Sequence, residues 1–249
     1  MMEEVELKVV TVIPARFGST RFPGKPLATI LGKPMIQHVY EKAKQAQNVS
    51  EVIVATDHKD IYDAVRDFGG QAIMTREDHE SGSDRIAEVA EKIDGDIFLN
   101  IQGDEPLIRP ELIDNIIKES KKNLNSVITA KTKLVDEEDI NNPNVVKVIT
   151  DFENNALYFS RSPIPYNRSN IDITYYKHLG IYCYPKKILK EYVNLPKSLL
   201  EKAEMLEQLR LLENGYNVKV IETSYDTVGV DTSEDIAKVE KILRGEING

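Results

Sequence analysis

Cysteine is almost absent from this chain. Cys183 is the only one, so no internal disulfide can form, and that scarcity fits a reducing compartment. Nor is such a staple needed: a chain of 249 residues buries about 70–75% of its unfolded surface. No apolar run approaches the roughly 20 residues that span a bilayer. The start, Met1-Met2-Glu3-Glu4-Val5-Glu6, is acidic and leads straight into a strand, unlike a signal peptide. Positive charge is in deficit, 32 Lys and Arg against 41 Asp and Glu, net −9. That argues against a nucleic acid or a membrane surface as partner. Repeats and low-complexity linkers are missing too. These absences leave the expectation of a soluble, cytoplasmic globular protein. If it binds an anion, a few well-placed cations must do so.

What is present alternates between two periods. Leu7–Ile13, Glu51–Thr56, Gln71–Met74, Asp96–Ile101 and Ser126–Thr132 read as strands. Lys33–Ala46, Lys59–Phe68, Ser83–Ile93 and Pro110–Lys121 carry apolar residues at helical spacing. Alternation of this kind predicts a mostly parallel sheet covered by helices. After about residue 133 the pattern changes. Val145–Thr150, Ala156–Phe159 and Tyr175–Tyr184 are strands without intervening helices, and Arg161–Arg168 reads as an irregular loop. Helices are expected again at Lys186–Val193, at Ser198–Asn214 as one continuous element, and at Ser233–Arg244, with a strand at Asn217–Glu222. The economical reading is a single α/β domain over 1–249 with a smaller mixed-sheet insertion near 133–185.

The segment after the first strand, IPARFGSTRFPGKPL, places Arg16, Arg21 and Lys25 within ten residues. Ligands of open α/β sheets bind beyond the carboxyl ends of strands. Gly18 and Gly24 let backbone amides approach an anion, the arginines suit bidentate phosphate contacts, and the lysine serves as a point charge. Two familiar motifs are missing. A Walker loop requires G-x-x-x-x-G-K-[ST], but five residues separate Gly18 from Gly24 and Pro26 follows Lys25. The dinucleotide fingerprint G-x-G-x-x-G is absent as well.

Asp104, in QGDEP, follows a strand that Pro106 helps to stop, so it belongs at the carboxyl edge of the sheet near that loop. Asp231, in VGVDT, precedes the last helix and reads either as a cap or as a metal ligand. Two carboxylates from distant segments suit Mg²⁺, which takes hard oxygens and leaves positions for water and phosphate. Ser81-Gly82-Ser83-Asp84 opens a helix and reads as a plain N-cap or as a set of amides facing a ligand, and Arg76 as a surface charge or a ligand contact. His178 and Tyr182 are four apart on a strand and share a face, with Gly180 between them. Cys183 is out of phase with them and reads as packing. His38, His58 and His79 read as surface or structural.

Taken together, IPARFGSTRFPGKPL, Lys33-Pro34-Met35-Ile36, Ala55-Thr56-Asp57, Met74-Thr75-Arg76, Asp78-His79-Glu80-Ser81-Gly82-Ser83-Asp84-Arg85, Gln102-Gly103-Asp104-Glu105-Pro106, Tyr158-Phe159-Ser160-Arg161, His178-Leu179-Gly180-Ile181-Tyr182, Glu204-Met205-Leu206-Glu207-Gln208-Leu209-Arg210 and Gly229-Val230-Asp231-Thr232 resemble the nucleotide-sugar nucleotidyltransferases. The narrower likeness is to the 3-deoxy-manno-octulosonate (Kdo) cytidylyltransferases, over essentially the whole chain. The resemblance implies a Rossmann-like nucleotidyltransferase fold and a reaction in which the anomeric hydroxyl of Kdo attacks the α-phosphate of CTP in line, releasing diphosphate, for lipopolysaccharide biosynthesis. It implies Arg16, Lys25, Asp104 and Asp231 as catalytic residues and Mg²⁺ on Asp104 and Asp231. Nucleotide contacts would come from Pro14, Ala15, Arg16, Arg21, Lys25, Thr75, Arg76, Ser81, Gln102 and Asp104. The sugar acid would lie on Arg161, His178, Tyr182, Glu207 and Gln208. A homodimer formed through the insertion is implied too.

Rival readings are a cytidylyltransferase for another acid such as sialic acid, a uridylyltransferase for a sugar phosphate, and a nucleotide-sensing module without turnover. A metal-dependent glycosyltransferase would carry D-x-D where this chain has Gln102-Gly103-Asp104.

Overall fold

The computed structural model describes residues 6–18 and 22–247. In chain order these form β1 (Val9–Ala15), a 3-10 turn (Lys25–Leu27), β2 (Thr29–Ile30), β3 (Lys33–Pro34), α1 (Met35–Gln45), β4 (Glu51–Thr56), α2 (Lys59–Asp67), β5 (Ala72–Met74), α3 (Gly82–Lys92), β6 (Ile97–Asn100), α4 (Pro110–Lys122) and β7 (Ser126–Leu134). There follow α5 (Glu137–Asn141), β8 (Lys147–Thr150), β9 (Ala156–Ser160), β10 (Tyr175–Pro185), α6 (Lys186–Tyr192), α7 (Leu199–Glu204), α8 (Leu209–Glu213), β11 (Asn217–Glu222) and α9 (Ser233–Leu243). The chain divides into two compact units, Met1–Lys118 with Thr227–Gly249, and Glu119–Asp226. The expected insertion at 133–185 lies inside the second.

In the first unit β1 pairs in parallel with β4 on one side and β6 on the other, and β4 pairs in parallel with β5. The chain runs from β1 outward through β4 to β5 and then returns to the opposite side of β1. The reversal opens a crevice at the carboxyl ends of β1 and β6, where an open α/β sheet binds ligands. β1 is buried on both faces, as its Val/Ile-rich sequence requires. α1 packs Met35, Ile36, Val39, Tyr40 and Ala43 inward, a stripe at helical spacing that contributes about 1.5–3 kcal/mol for each large side chain. A small antiparallel hairpin, β2–β3, turns through Leu31 and Gly32, both at positive φ. The hairpin's Ile30 joins Met35, Val230 and Val239 in one apolar cluster, with Phe22, Leu107 and Ile236 packed against it. This cluster brings the C-terminal segment onto the first unit.

The second unit is a mixed sheet. β7 pairs antiparallel with β10 and parallel with β11, and β8 and β9 form an antiparallel hairpin. Between Leu179 and Cys183 the β7–β10 register slips. Leu179 faces Ala130 and Cys183 faces Ile128, so the slip is by an even number of residues and keeps His178 and Tyr182 on one face.

One expectation is overturned. Ser198–Asn214 is not a continuous helix: it stops at Glu204, Met205 takes the left-handed conformation at φ 55°, and a new helix begins at Leu209. Glu207 and Gln208 therefore lie at a turn and not in a helix interior. The elements that escaped sequence reading are short ones: the 3-10 turn, the β2–β3 hairpin and α5.

Gly103 lets the loop after β6 touch the end of β1. A Cβ there would come within 2.9 Å of the Pro14 carbonyl oxygen. Gly103→Ala should therefore lower stability by about 1–3 kcal/mol, read by urea denaturation. An unchanged midpoint would show that this contact does not constrain the loop.

Candidate active site

Three segments converge at the crevice. Lys25, carried on the 3-10 turn, donates from Nζ to Asp104 Oδ2 at 2.5 Å and to the Val230 carbonyl at 2.8 Å, and lies 3.5 Å from Asp231 Oδ1. The Val230 N–H donates to the Asp104 carbonyl at 2.9 Å. One ammonium thus sits between two carboxylates that the sequence holds far apart. A cavity of about 350 Å³ opens there. Its lining includes Pro14, Ala15, Arg16, Lys25, Gln102, Asp104 and Asp231, all expected from the sequence, together with Gly103, Pro26 and Met35. The loop before Lys25 is closed by the Gly24 N–H on the Phe17 carbonyl at 3.0 Å, with Gly24 at φ 70°. Phe17 stacks on His58, ring centroids 4.0 Å apart. Arg21 lies outside the described residues.

The two readings of Asp231 separate here. Asp235 Oδ2 accepts from the N–H of Asp231 and of Thr232, so the cap of α9 is made by Thr232 and Asp235. The Asp231 carboxylate points toward Lys25 instead. Among the described residues no group of three or more His, Cys, Asp or Glu forms a metal cage. Two carboxylates gathered round one cation nonetheless fit a hard divalent ion that keeps most positions for phosphate and water.

Thr75, Arg76 and Ser81 do not line the cavity. The buried Thr75 hydroxyl donates to the Thr56 carbonyl at 3.1 Å and accepts from Arg85. Exposed Arg76 pairs with Asp78 at 3.3 Å. Ser81 caps α3 in a capping box with Asp84.

In the second unit, His178 is buried and its Nε2 lies 3.0 Å from Thr129 Oγ1. The Thr129 hydroxyl has one proton to give, and the Ile181 carbonyl at 2.8 Å is its nearer acceptor; in that arrangement Thr129 accepts from His178 Nε2–H and Nδ1 is the ring's acceptor. Burial pushes the His178 pKa down to about 3, so the ring is neutral. Phe159 meets it edge-on at 4.8 Å and Tyr182 lies 5.3 Å away. The Arg161 guanidinium faces main-chain carbonyls, those of Glu204 at 2.7 Å and Pro143 at 2.9 Å. Gln208 is buried and Glu207 exposed.

Residues 10–228 match the protein family described as Cytidylyltransferase. The 3-deoxy-manno-octulosonate cytidylyltransferase of Geotalea uraniireducens (strain Rf4) is 50% identical over 250 residues, covering 96% of this chain and 100% of that protein. The chain belongs to the 3-deoxy-manno-octulosonate cytidylyltransferase family. The Escherichia coli cytidylyltransferase of the same name is 47% identical, covering 96% and 98%. A solved structure of CMP:2-keto-3-deoxy-manno-octonic acid synthetase complexed with CTP matches with a TM-score of 0.92 at 48% identity, covering 96% of this chain and 100% of that one.

This cytidylyltransferase carries buried charges that sequence reasoning passed over. Arg85 joins Thr75 to Asp57, its Nη2 2.6 Å from Asp57 Oδ2. Arg210 meets Glu201 through two hydrogen bonds. Lys147 is fully buried. The available signal was local: Lys147 interrupts the otherwise apolar run VVKVI. His79, read as surface or structural, is structural, with its Nε2 2.5 Å from Glu88 Oε2, and Cys183 is a buried thiol whose pKa burial pushes up to about 12.

The His178 pKa sets a pH dependence. The folded value of about 3 lies below the ordinary 6.5, so the unfolded chain binds the extra proton between these values. Stability is complete above about 6.5 and falls as pH drops toward 3. From pH 6.5 to 5 wild type should lose about 1–2 kcal/mol more than His178→Asn in denaturant titrations. Parallel curves would place His178 in a solvated site.

Proposed function

We propose that this chain transfers CMP from CTP to Kdo, giving CMP-Kdo and diphosphate. The observation that carries this reading is the convergence of Lys25, Asp104 and Asp231 at the crevice after β1 and β6. Identity near 50% with Kdo cytidylyltransferases, end to end, supports the choice of base and acceptor. Arg16 and Lys25 would hold the triphosphate and stabilise the charge that develops on the departing diphosphate. Held by Asp104 and Asp231, Mg²⁺ would neutralise phosphate charge. Pro14, Ala15 and Gln102 line the same cavity and would receive the nucleoside, with Thr75, Arg76, Ser81 and Arg21 as the further contacts of this reading. For the acceptor we retain Arg161, His178, Tyr182, Glu207 and Gln208, with neutral His178 offering Nδ1 to a sugar hydroxyl.

Homodimerisation through the second unit belongs to the same reading. Val135, Phe152, Leu157, Tyr166 and Ile171 on that unit are exposed, which supports it. No helix among the described residues is long and apolar enough to cross a membrane; a cytoplasmic location is kept as part of this proposal.

Diphosphate release with Mg²⁺, measured for CTP and UTP against Kdo, sialic acid and sugar phosphates, should be strong for CTP with Kdo alone. Comparable release with UTP and a sugar phosphate would overturn the assignment. Asp104→Asn should lower kcat by about a thousandfold or more with an unchanged circular dichroism spectrum. Near-normal turnover would remove Asp104 from the metal site. Light scattering should give twice the 28.2 kDa chain mass; a monomer at micromolar concentration would exclude the dimer.

A further inference from the structure

The second unit buries a lysine that has no part in the reaction just proposed. The Lys147 ammonium donates to three main-chain carbonyls, Asn142 at 2.9 Å, Val145 at 2.6 Å and Arg161 at 2.6 Å. Its three protons are all directed at backbone, so it acts as a tripod and not as half of an ion pair. Burial lowers its pKa. Burying a cation is costly unless it is hydrogen-bonded, and these three carbonyls meet that requirement.

What it grips is Arg161. The N–H of the same residue donates to Glu204 Oε2 at 2.9 Å, and Ser160 Oγ donates to Glu204 Oε1 at 2.8 Å. The two peptide groups flanking Arg161 are thus held by opposite charges. Its guanidinium in turn donates to the Glu204 carbonyl at 2.7 Å and the Met205 carbonyl at 3.4 Å, where α7 stops. The stretch Leu199–Glu213 contains neither glycine nor proline and is rich in strong helix formers, so its local preference is one continuous helix. Breaking it frees carbonyls that need outside donors, and Arg161 supplies them. Beyond the break Tyr192 Oη donates to the Glu207 carbonyl at 3.1 Å.

We infer that Lys147 is a positioning residue of the acceptor site: through Arg161 it holds the turn that carries Glu207 and Gln208. This rests on the acceptor reading of those residues given above.

Lys147→Met keeps the length of the stem and removes the charge. In the full-length enzyme the KM for Kdo should rise about tenfold or more while the KM for CTP stays within about twofold. Amide exchange at 204–208 should accelerate at least about tenfold while β1 keeps its protection. Glu204→Gln, which removes the opposite charge, should give the same split and carries the test if the first variant does not fold. Equal changes in both KM values, or exchange at 204–208 identical to wild type, would overturn the inference. Should wild type fail to turn over Kdo with CTP, the acceptor reading falls by itself, and the exchange measurement still decides whether Lys147 holds the turn.

Discussion

The first unit is organised around one ammonium. Lys25 reaches Asp104 across 79 positions of sequence and the Val230 carbonyl across 205. Two carboxylates in one small cavity repel each other unless a cation lies between them. The fold supplies that cation from the loop after β1. Each partner arrives by a separate route. β6 returns beside β1 and its loop is drawn close through Gly103. The cluster of Ile30, Met35, Val230 and Val239 brings in the C-terminal segment. None of these routes alone makes a site, and the ion pair exists only where all of them meet.

The chain's overall charge of −9 speaks to partners of polymer size and says little about this cavity. A small polyanion such as a nucleoside triphosphate needs few cations, provided they are placed. The same economy recurs among the buried cations. Arg210 meets Glu201 through two hydrogen bonds, Arg85 bridges Asp57 and Thr75, and Lys147 rests on carbonyls. Each is hydrogen-bonded, as the cost of burying a lone charge demands. Each joins segments that local structure would leave apart.

How much of this was legible depended on whether the cause was local. Glu51–Thr56 and Asn217–Glu222 match the observed strands residue for residue, because short runs rich in Val and Ile and bounded by turn residues carry their own limits. That Arg16, Lys25 and Asp104 would gather at one crevice was legible because strand-end loops in such sheets share an edge, whereas Gln102 came from the family resemblance alone. The helix expected over 198–214 failed at Met205, since propensity in that stretch is uniformly helical and the break comes from Arg161 and Tyr192, both remote in sequence. Asp231 stayed ambiguous for the same kind of reason: an aspartate before a helix is a cap or a ligand according to what its neighbour Asp235 does.

By itself, then, the sequence determined the alternation of strands and helices, the cation-bearing loop and the family signature, because each is written in contiguous residues with their own periodicity or turn chemistry. Only the tertiary structure decided that Asp231 faces Lys25 and not its own helix, that His178 is buried beside Thr129, and that a long helix is cut in two where Arg161 and Tyr192 meet its carbonyls. Each of those outcomes follows from desolvation and hydrogen bonding between groups that meet only after the chain has folded.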